Sequence, residues 1–266
     1  MKAVLSAVAL AVAGLFMGMV GLVAVRGAGA LTWSYLFGLP ARSGLEGGIL
    51  PALVNTAWLV GGSLTVALPI GVGTAVYLRE YAAPGPLVQS MRTLIGALAG
   101  VPSIIFGLFG YGLFVDRLGW GWSLASGMAT LALMLLPTII QTAEEALAAV
   151  PAELREGAAA LGAANLQVLR RVVLPVAAPG IATGAILAMG RAFGESAAVL
   201  LTAGGDLVMP RSPLSPGRPL AVHLYLMVSE RLSDERAYAT ALVLVLVTLA
   251  VNLAAHLTLA RRRHGR

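Results

Sequence analysis

A chain of 266 residues with 58% hydrophobic and 11% charged side chains cannot clothe its own core in polar surface, because soluble domains carry roughly a quarter charged residues. Lipid is therefore the expected solvent. The absence of cysteine excludes disulfides, thiolate metal sites and thiol catalysis, and the net charge of +6 is scattered between apolar runs rather than gathered into a face for nucleic acid.

A bilayer core needs roughly 20 apolar residues of helix, and six stretches qualify: 3–25, 52–78, 93–115, 123–140, 176–203 and 237–260. The predicted fold class is an all-α polytopic membrane protein with six transmembrane helices in a single domain, 1–266. The N-terminal helix 3–25 has the outline of a signal peptide, with Met1-Lys2 before it and Ala28-Gly29-Ala30 after it. Its apolar run exceeds the ~7–15 residues of a signal core, so it is expected to be retained. Core helices then occupy 52–260. Pro69, Pro102 and Pro137 fall inside spans, where neighbouring helices can satisfy the freed backbone groups. Gly119-Trp120-Gly121-Trp122 precedes the short fourth span as an interfacial aromatic anchor.

Between spans four and five the pattern changes. Over 141–175, Leu147, Val150, Leu154, Ala158 and Leu161 recur at helical spacing as one apolar stripe. Pro151 suits the first helical position, Glu153 and Glu156 favour the positive helix end, Gly162 suits the left-handed stop, and Asn165 is a good cap for the next helix. The expectation is a helical hairpin with a sharp glycine corner. A plain surface connection and a handle for a soluble partner both fit that pattern.

Span five carries Arg191 and Glu195 near its middle, where a charge costs about 2.5–3.5 kcal/mol on insertion scales. Spacing of four puts both on one helix face, so they can pair. Two readings stay open: a self-neutralising pair that packs the bundle, or a polar pathway in which the guanidinium fork receives an anion and the carboxylate keeps it from sticking. Gly180-x-x-x-Gly184, Gly190-x-x-x-Gly194 and Gly96-x-x-x-Gly100 are read as close-packing sites. The loop 204–237 holds Pro210, Pro213, Pro216 and Pro219 and then a short amphipathic helix, expected to lie on the outer, periplasmic side.

Beyond span six the Arg261-Arg262-Arg263 tail sets the orientation. With the N-terminus inside, ten Lys/Arg from Lys2 to Arg266 face five acids on the inner side, and seven, Arg42 among them, face six acids outside. That bias predicts both termini in the cytoplasm and a multi-pass protein of the cell inner membrane.

Glu156-Gly157-Ala158, three residues, Gly162, nine residues, then Val172-Val173-Leu174-Pro175 resembles the EAA loop of binding-protein-dependent ABC importer permeases, with Gly157 for the first alanine and Val172 for isoleucine. The resemblance implies the ABC importer permease (MetI-like) fold, a cytoplasmic EAA coupling loop at 141–175, and docking of Glu156, Gly157, Ala158, Gly162 and Pro175 to a separate ATPase. Arg191-x-x-Gly194-Glu195-Ser196, residues 100–110 and residues 136–151 resemble the phosphate-specific branch, and 47–82 resembles the smaller of its two permease types. This implies a permease subunit of an ATP-driven phosphate importer, with Arg191 and Glu195 in the substrate pathway. The implied partners are an ATP-binding subunit, a second permease subunit, a periplasmic phosphate-binding protein meeting loop 204–237, and membrane lipid. One departure stands out: the family pattern has an arginine where Gln141 stands. Another oxyanion or small solute is the alternative cargo.

Lys2 is the only lysine, so no phosphate-cradling G-x-x-x-x-G-K-[ST] loop exists and the chain is not expected to be an enzyme. His223, His256 and His264 are too scattered for a metal site, and no cofactor is expected. An ion-driven secondary transporter would need intramembrane proton-relay acids, for which Glu195 is the single candidate.

Overall fold

The computed structural model describes residues 1–41 and 46–264. Arg42 and Arg266, assigned above to the two membrane sides, lie outside the described residues. The N-terminal apolar run forms α1 (Lys2–Gly27), exposed along nearly its whole length. A short helix α2 (Trp33–Phe37), capped where the Thr32 hydroxyl accepts the Tyr35 N–H at 3.2 Å, leads to a two-residue antiparallel ladder, Pro40–Ala41 with Glu46–Gly47.

The second span is α3 (Leu50–Val76), started by Pro51 in its first turn and extended by one wide turn, Tyr77–Tyr81. Its polar side chains turn back onto the helix: Thr56, Thr65 and Thr74 each donate to the carbonyl four residues earlier, at 2.7–2.8 Å. Such internal satisfaction is what lets hydroxyls enter a membrane helix.

The expected continuous third span is a correction. It consists of α4 (Pro86–Ala99) and α5 (Ser103–Gly110, continuing as a wide coil to Arg117), bent by 101° at Gly100-Val101-Pro102. Gly100 ends α4, and Pro102, which has no N–H to offer and disfavours helical backbone at Val101, keeps the helix from resuming in line. Among the described residues, five helices are thus long and apolar enough to cross a membrane, and the bent pair supplies a sixth passage if it counts as one span.

Span four, α6 (Leu124–Ala148), is the axis of the molecule, with 61% of its apolar window buried. Ser123 caps it by accepting the Ser126 N–H at 3.2 Å. It outruns the expected end at 140 and carries the bundle into the hairpin. After the break at 149–151 come α7 (Ala152–Ala160) and α8 (Asn165–Val168). A wide turn, Leu169–Val173, then feeds α9 (Leu174–Phe193) without interruption. The fifth span also departs from expectation: helix stops at Phe193 and resumes as α10 (Ala197–Ala203).

The proline-rich stretch after α10 folds back over the start of α6. There the N–H groups of Leu124 and Ala125, two of the unpaired first-turn donors of a helix, bond to the carbonyls of Ser215 and Pro213 at 2.9 and 2.7 Å. Next come α11 (Leu220–Ser229), whose Leu220, Val222, His223 and Met227 are buried, and α12 (Asp234–His264). Helix α1 packs along α12: a Cβ on Gly27 would stand 2.5 Å from the Tyr238 carbonyl oxygen, and Arg26 donates to the Tyr238 hydroxyl at 3.1 Å.

The central core joins Leu59 and Ala67 of α3, Leu131, Leu135 and Ile139 of α6, Ala188 and Ala192 of α9, and Val199 of α10. Of the glycine pairs, Gly180 and Gly184 allow the close approach of α9 to α6, since added Cβ atoms would meet Ala146 at 2.6 Å and Thr142 at 2.0 Å. Gly96 and Gly100 make no such approach; Gly100 ends α4 at the bend.

Candidate functional site

The hairpin forms one end of the bundle. Helix α7 ends in a glycine stop: Ala163 N–H reaches the Ala158 carbonyl at 3.2 Å, Gly162 N–H reaches that of Ala159 at 2.9 Å, and Gly162 takes φ +82°. Two details differ from the sequence reading. Pro151 is the residue before the first helical position, Ala152, and the second arm begins with Ala164 as cap. Asn165 sits one place further in, and the Gln167 side-chain carbonyl accepts the Ala164 N–H at 3.1 Å.

The apolar stripe divides at Pro151. Leu147 and Val150 are buried, whereas Leu154 is 44% and Leu161 90% exposed. Helix α7 has no buried residue at all. Glu156, Gly157, Ala158 and Gly162 therefore share one small-residue corner that projects from the bundle, while Pro175 stands apart from it in the first turn of α9. Leu161 thus forms an exposed apolar tip beside a corner with open space around Gly157 and Gly162.

Two ion pairs that no local pattern revealed tie this end together. Arg155 Nη1 lies 2.6 and 2.5 Å from the two Glu80 carboxylate oxygens, and its Nη2 donates to the Leu147 carbonyl at 2.8 Å. Arg92 Nε donates to Glu144 Oε1 at 3.0 Å and Nη2 to the Leu78 carbonyl at 3.2 Å.

In the fifth span the Arg191–Glu195 pair that the spacing allows does not form. The i, i+4 relation needs continuous helix, and the helix ends between them, with Gly194 at φ −87° and ψ −3°. Glu195 Oε1 instead accepts the Ala198 N–H at 3.1 Å, a first-turn donor of α10, from one place before the N-cap residue Ser196. Arg191, in the last turn of α9, is exposed, and among the described residues its guanidinium has no hydrogen-bonding or ionic partner. Gln141 faces α4, its Nε2 3.6 Å from where a Cβ on Gly96 would stand.

At the opposite end lies a polar group the sequence reading passed over. The side chain of Asn55 donates to the Val208 carbonyl at 3.2 Å, Arg218 Nε donates to the Gly205 carbonyl, and His223 is 1% exposed. Burial, helped by the nearby Arg218 and Arg236 charges, pushes the His223 pKa down to about 4, so its imidazole is neutral at pH 7. Burial also lowers the Arg218 pKa, against the opposing pull of Glu230 and Asp206. His223 had been weighed only as a metal ligand; its place inside an apolar helix face was the available signal.

Residues 67–264 match the family model described as binding-protein-dependent transport system inner membrane component. The chain is 34% identical over 262 residues to the probable ABC transporter permease protein YqgI of Bacillus subtilis, covering 92% of this chain and 88% of that one. It is 35% identical over 238 residues to the phosphate transport system permease protein PstA 1 of Mycobacterium tuberculosis, covering 88% and 77%. Among solved structures, an inward-facing conformation of the MetNI methionine ABC transporter superposes with TM-score 0.67 at 20% identity, over 80% of this chain and 95% of the other.

Proposed function

The chain belongs to the family of binding-protein-dependent transport system inner membrane components, and from that premise we propose that it is a permease subunit of an ATP-driven phosphate importer. It forms half of the translocation path, and a second permease subunit forms the other half. A periplasmic phosphate-binding protein delivers cargo at the end built from loop 204–237, and both termini face the cytoplasm. Work comes from a separate ATP-binding subunit, in keeping with a chain whose one lysine is Lys2. Glu156, Gly157, Ala158 and Gly162 form the docking corner, and Pro175 fixes the root of its second arm at the start of α9.

The observation that carries the phosphate reading is the unpartnered Arg191 at the break in span five. An uncompensated guanidinium inside an apolar span is costly unless an anion visits it, and its planar donor fork matches phosphate oxygens. Glu195, held by the Ala198 N–H in the first turn of α10, stands four residues from that charge and moderates it. The test is uptake of radiolabelled phosphate by the purified complex in liposomes, with sulfate and arsenate as competitors. ATP-dependent phosphate uptake resistant to sulfate supports the reading; uptake of another solute in its place overturns it. With Gln141 where the resemblance implies an arginine, the exit side has no anion-binding arginine at that position; a permease for another oxyanion or small solute is the second reading, which the same competition distinguishes.

A further inference from the structure

Helix α7 is attached to the bundle in an unusual way. None of its residues is buried, and its N-terminal side is a break at 149–151, where Pro151 adopts extended backbone with ψ 140°. The second arm differs: it runs through Leu169 and Val173, both buried, straight into α9. The first arm rests on the second through Ala159, Val168 and Leu169, and Arg155 is its polar tie to the bundle across Pro151. Among the described residues, Arg155 makes all the side-chain hydrogen bonds between α7 and the bundle. Its guanidinium spans the break. One nitrogen holds the Leu147 carbonyl behind the hinge, and another holds both oxygens of Glu80 at the end of α3.

The pair is sheltered, with 25% and 17% of the two side chains exposed. It also forms one wall of a groove of about 320 Å³ between the end of α3 and the hairpin, lined further by Tyr81, Glu156 and Asn165. Partial burial and a short, branched geometry make this link stiffer than a surface ion pair, which contributes little. At its far end, Glu80 closes the wide turn that follows α3, and α3 packs along α6 through the central core.

We propose that the Arg155–Glu80 pair is the strap by which displacement of the hairpin's first arm is passed to α3, so that it sets how much transport each hydrolysed ATP yields. This rests on the reading of the hairpin as the docking element for an ATPase. With the strap intact, α7 and α3 move as one body; with it cut, α7 swings at Pro151 and the motion of the ATPase is lost in the hinge. Arg155 and Glu80 are positioning residues in this scheme and touch no substrate.

A double-mutant cycle in the reconstituted complex decides the matter, because residues that act as a unit show non-additive effects. Glu80→Gln, Arg155→Met and the double variant are compared for ATPase retained on purification, ATP hydrolysis, and radiolabelled phosphate imported per ATP. The expected result is that every variant retains the ATPase and hydrolyses ATP. Each single change lowers phosphate imported per ATP at least fivefold, and the double variant is no worse than the poorer single one. An unchanged ratio in either single variant overturns the strap. So do multiplying losses in the double variant, and so does loss of the ATPase from any variant, which makes the pair a support of the fold alone. Failure of the underlying reading is visible beforehand, as an unmutated complex that recovers no ATPase or imports no phosphate.

Discussion

Arg191 and Glu195 stand on opposite sides of a helix break, and the carboxylate is engaged by the Ala198 N–H at 3.1 Å rather than by the guanidinium four residues earlier. The break separates a potential self-neutralising pair into a carboxylate that satisfies a first-turn donor of α10 and a guanidinium without a partner among the described residues. Arg191 also lies in the last turn of α9, where a positive charge is stabilised by the helix dipole.

Replacing Arg191 by Gln removes that charge while keeping hydrogen-bonding capacity and approximate length. The expected outcome is at least a tenfold loss of phosphate uptake with unchanged recovery of the assembled complex. Arg191→Lys keeps the charge but loses the planar fork, so it should fall between the two. Normal uptake by Arg191→Gln in liposomes would remove Arg191 from the pathway.

Gly162 turns the hairpin with φ +82°, a conformation that costs a side-chain-bearing residue about 1–2 kcal/mol. Nothing lies within 4 Å of a Cβ added there, so the penalty falls on the shape of the corner and not on packing in the bundle. Gly162→Leu is expected to leave the permease folded, with its thermal midpoint shifted by no more than a few degrees. ATP hydrolysis by the complex should become insensitive to the presence of cargo. ATPase assays with and without loaded binding protein read the difference, and retained stimulation would contradict docking at this corner.

The hairpin was legible in the sequence because its signals are local: a proline, two glutamates and a glycine within a dozen residues fix a helix start, its polarity and its stop. Spans were legible for the same reason, as runs of apolar residues. What escaped depends on context. Pro137 lies inside a continuous α6 and Pro69 inside α3, whereas Pro102 marks a 101° bend, because Gly100 has already ended α4 before it. The Glu80–Arg155 pair joins residues 75 apart, and only the tertiary fold brings them together. Spacing of four would put Glu195 on the same face as Arg191, but that relation holds no further than the last helical turn.

Gly184 offers a test of the bundle itself. A Cβ there would stand 2.0 Å from the Thr142 hydroxyl oxygen, which is held by its own bond to the Thr138 carbonyl at 2.8 Å. Gly184→Ala should force α9 away from α6 and cost on the order of 1–3 kcal/mol. Gly73→Ala is the control, since nothing lies within 4 Å of its added Cβ. Thermal unfolding in detergent should separate the two variants by several degrees. Equal midpoints would mean that α9 and α6 are further apart than described here.

His223 predicts a pH dependence of definite sign. Its pKa lies near 4 in the folded chain, against an ordinary value of 6.5, chiefly because burial disfavours the charged ring and secondarily because Arg218 and Arg236 repel it. Between those two values the unfolded chain binds a proton that the folded chain refuses, so stability falls as pH drops through the window from 6.5 to 4, by up to roughly 1.4 kcal/mol per unit. Above 6.5 this group contributes no slope. Carboxylates titrate over the lower part of the same range, so the readout is the difference between the parent and His223→Gln. The variant should lose less stability between pH 7.5 and pH 5 than the parent when unfolding midpoints are measured in the same detergent. Identical losses would mean that His223 takes up its proton in the folded chain as readily as in water.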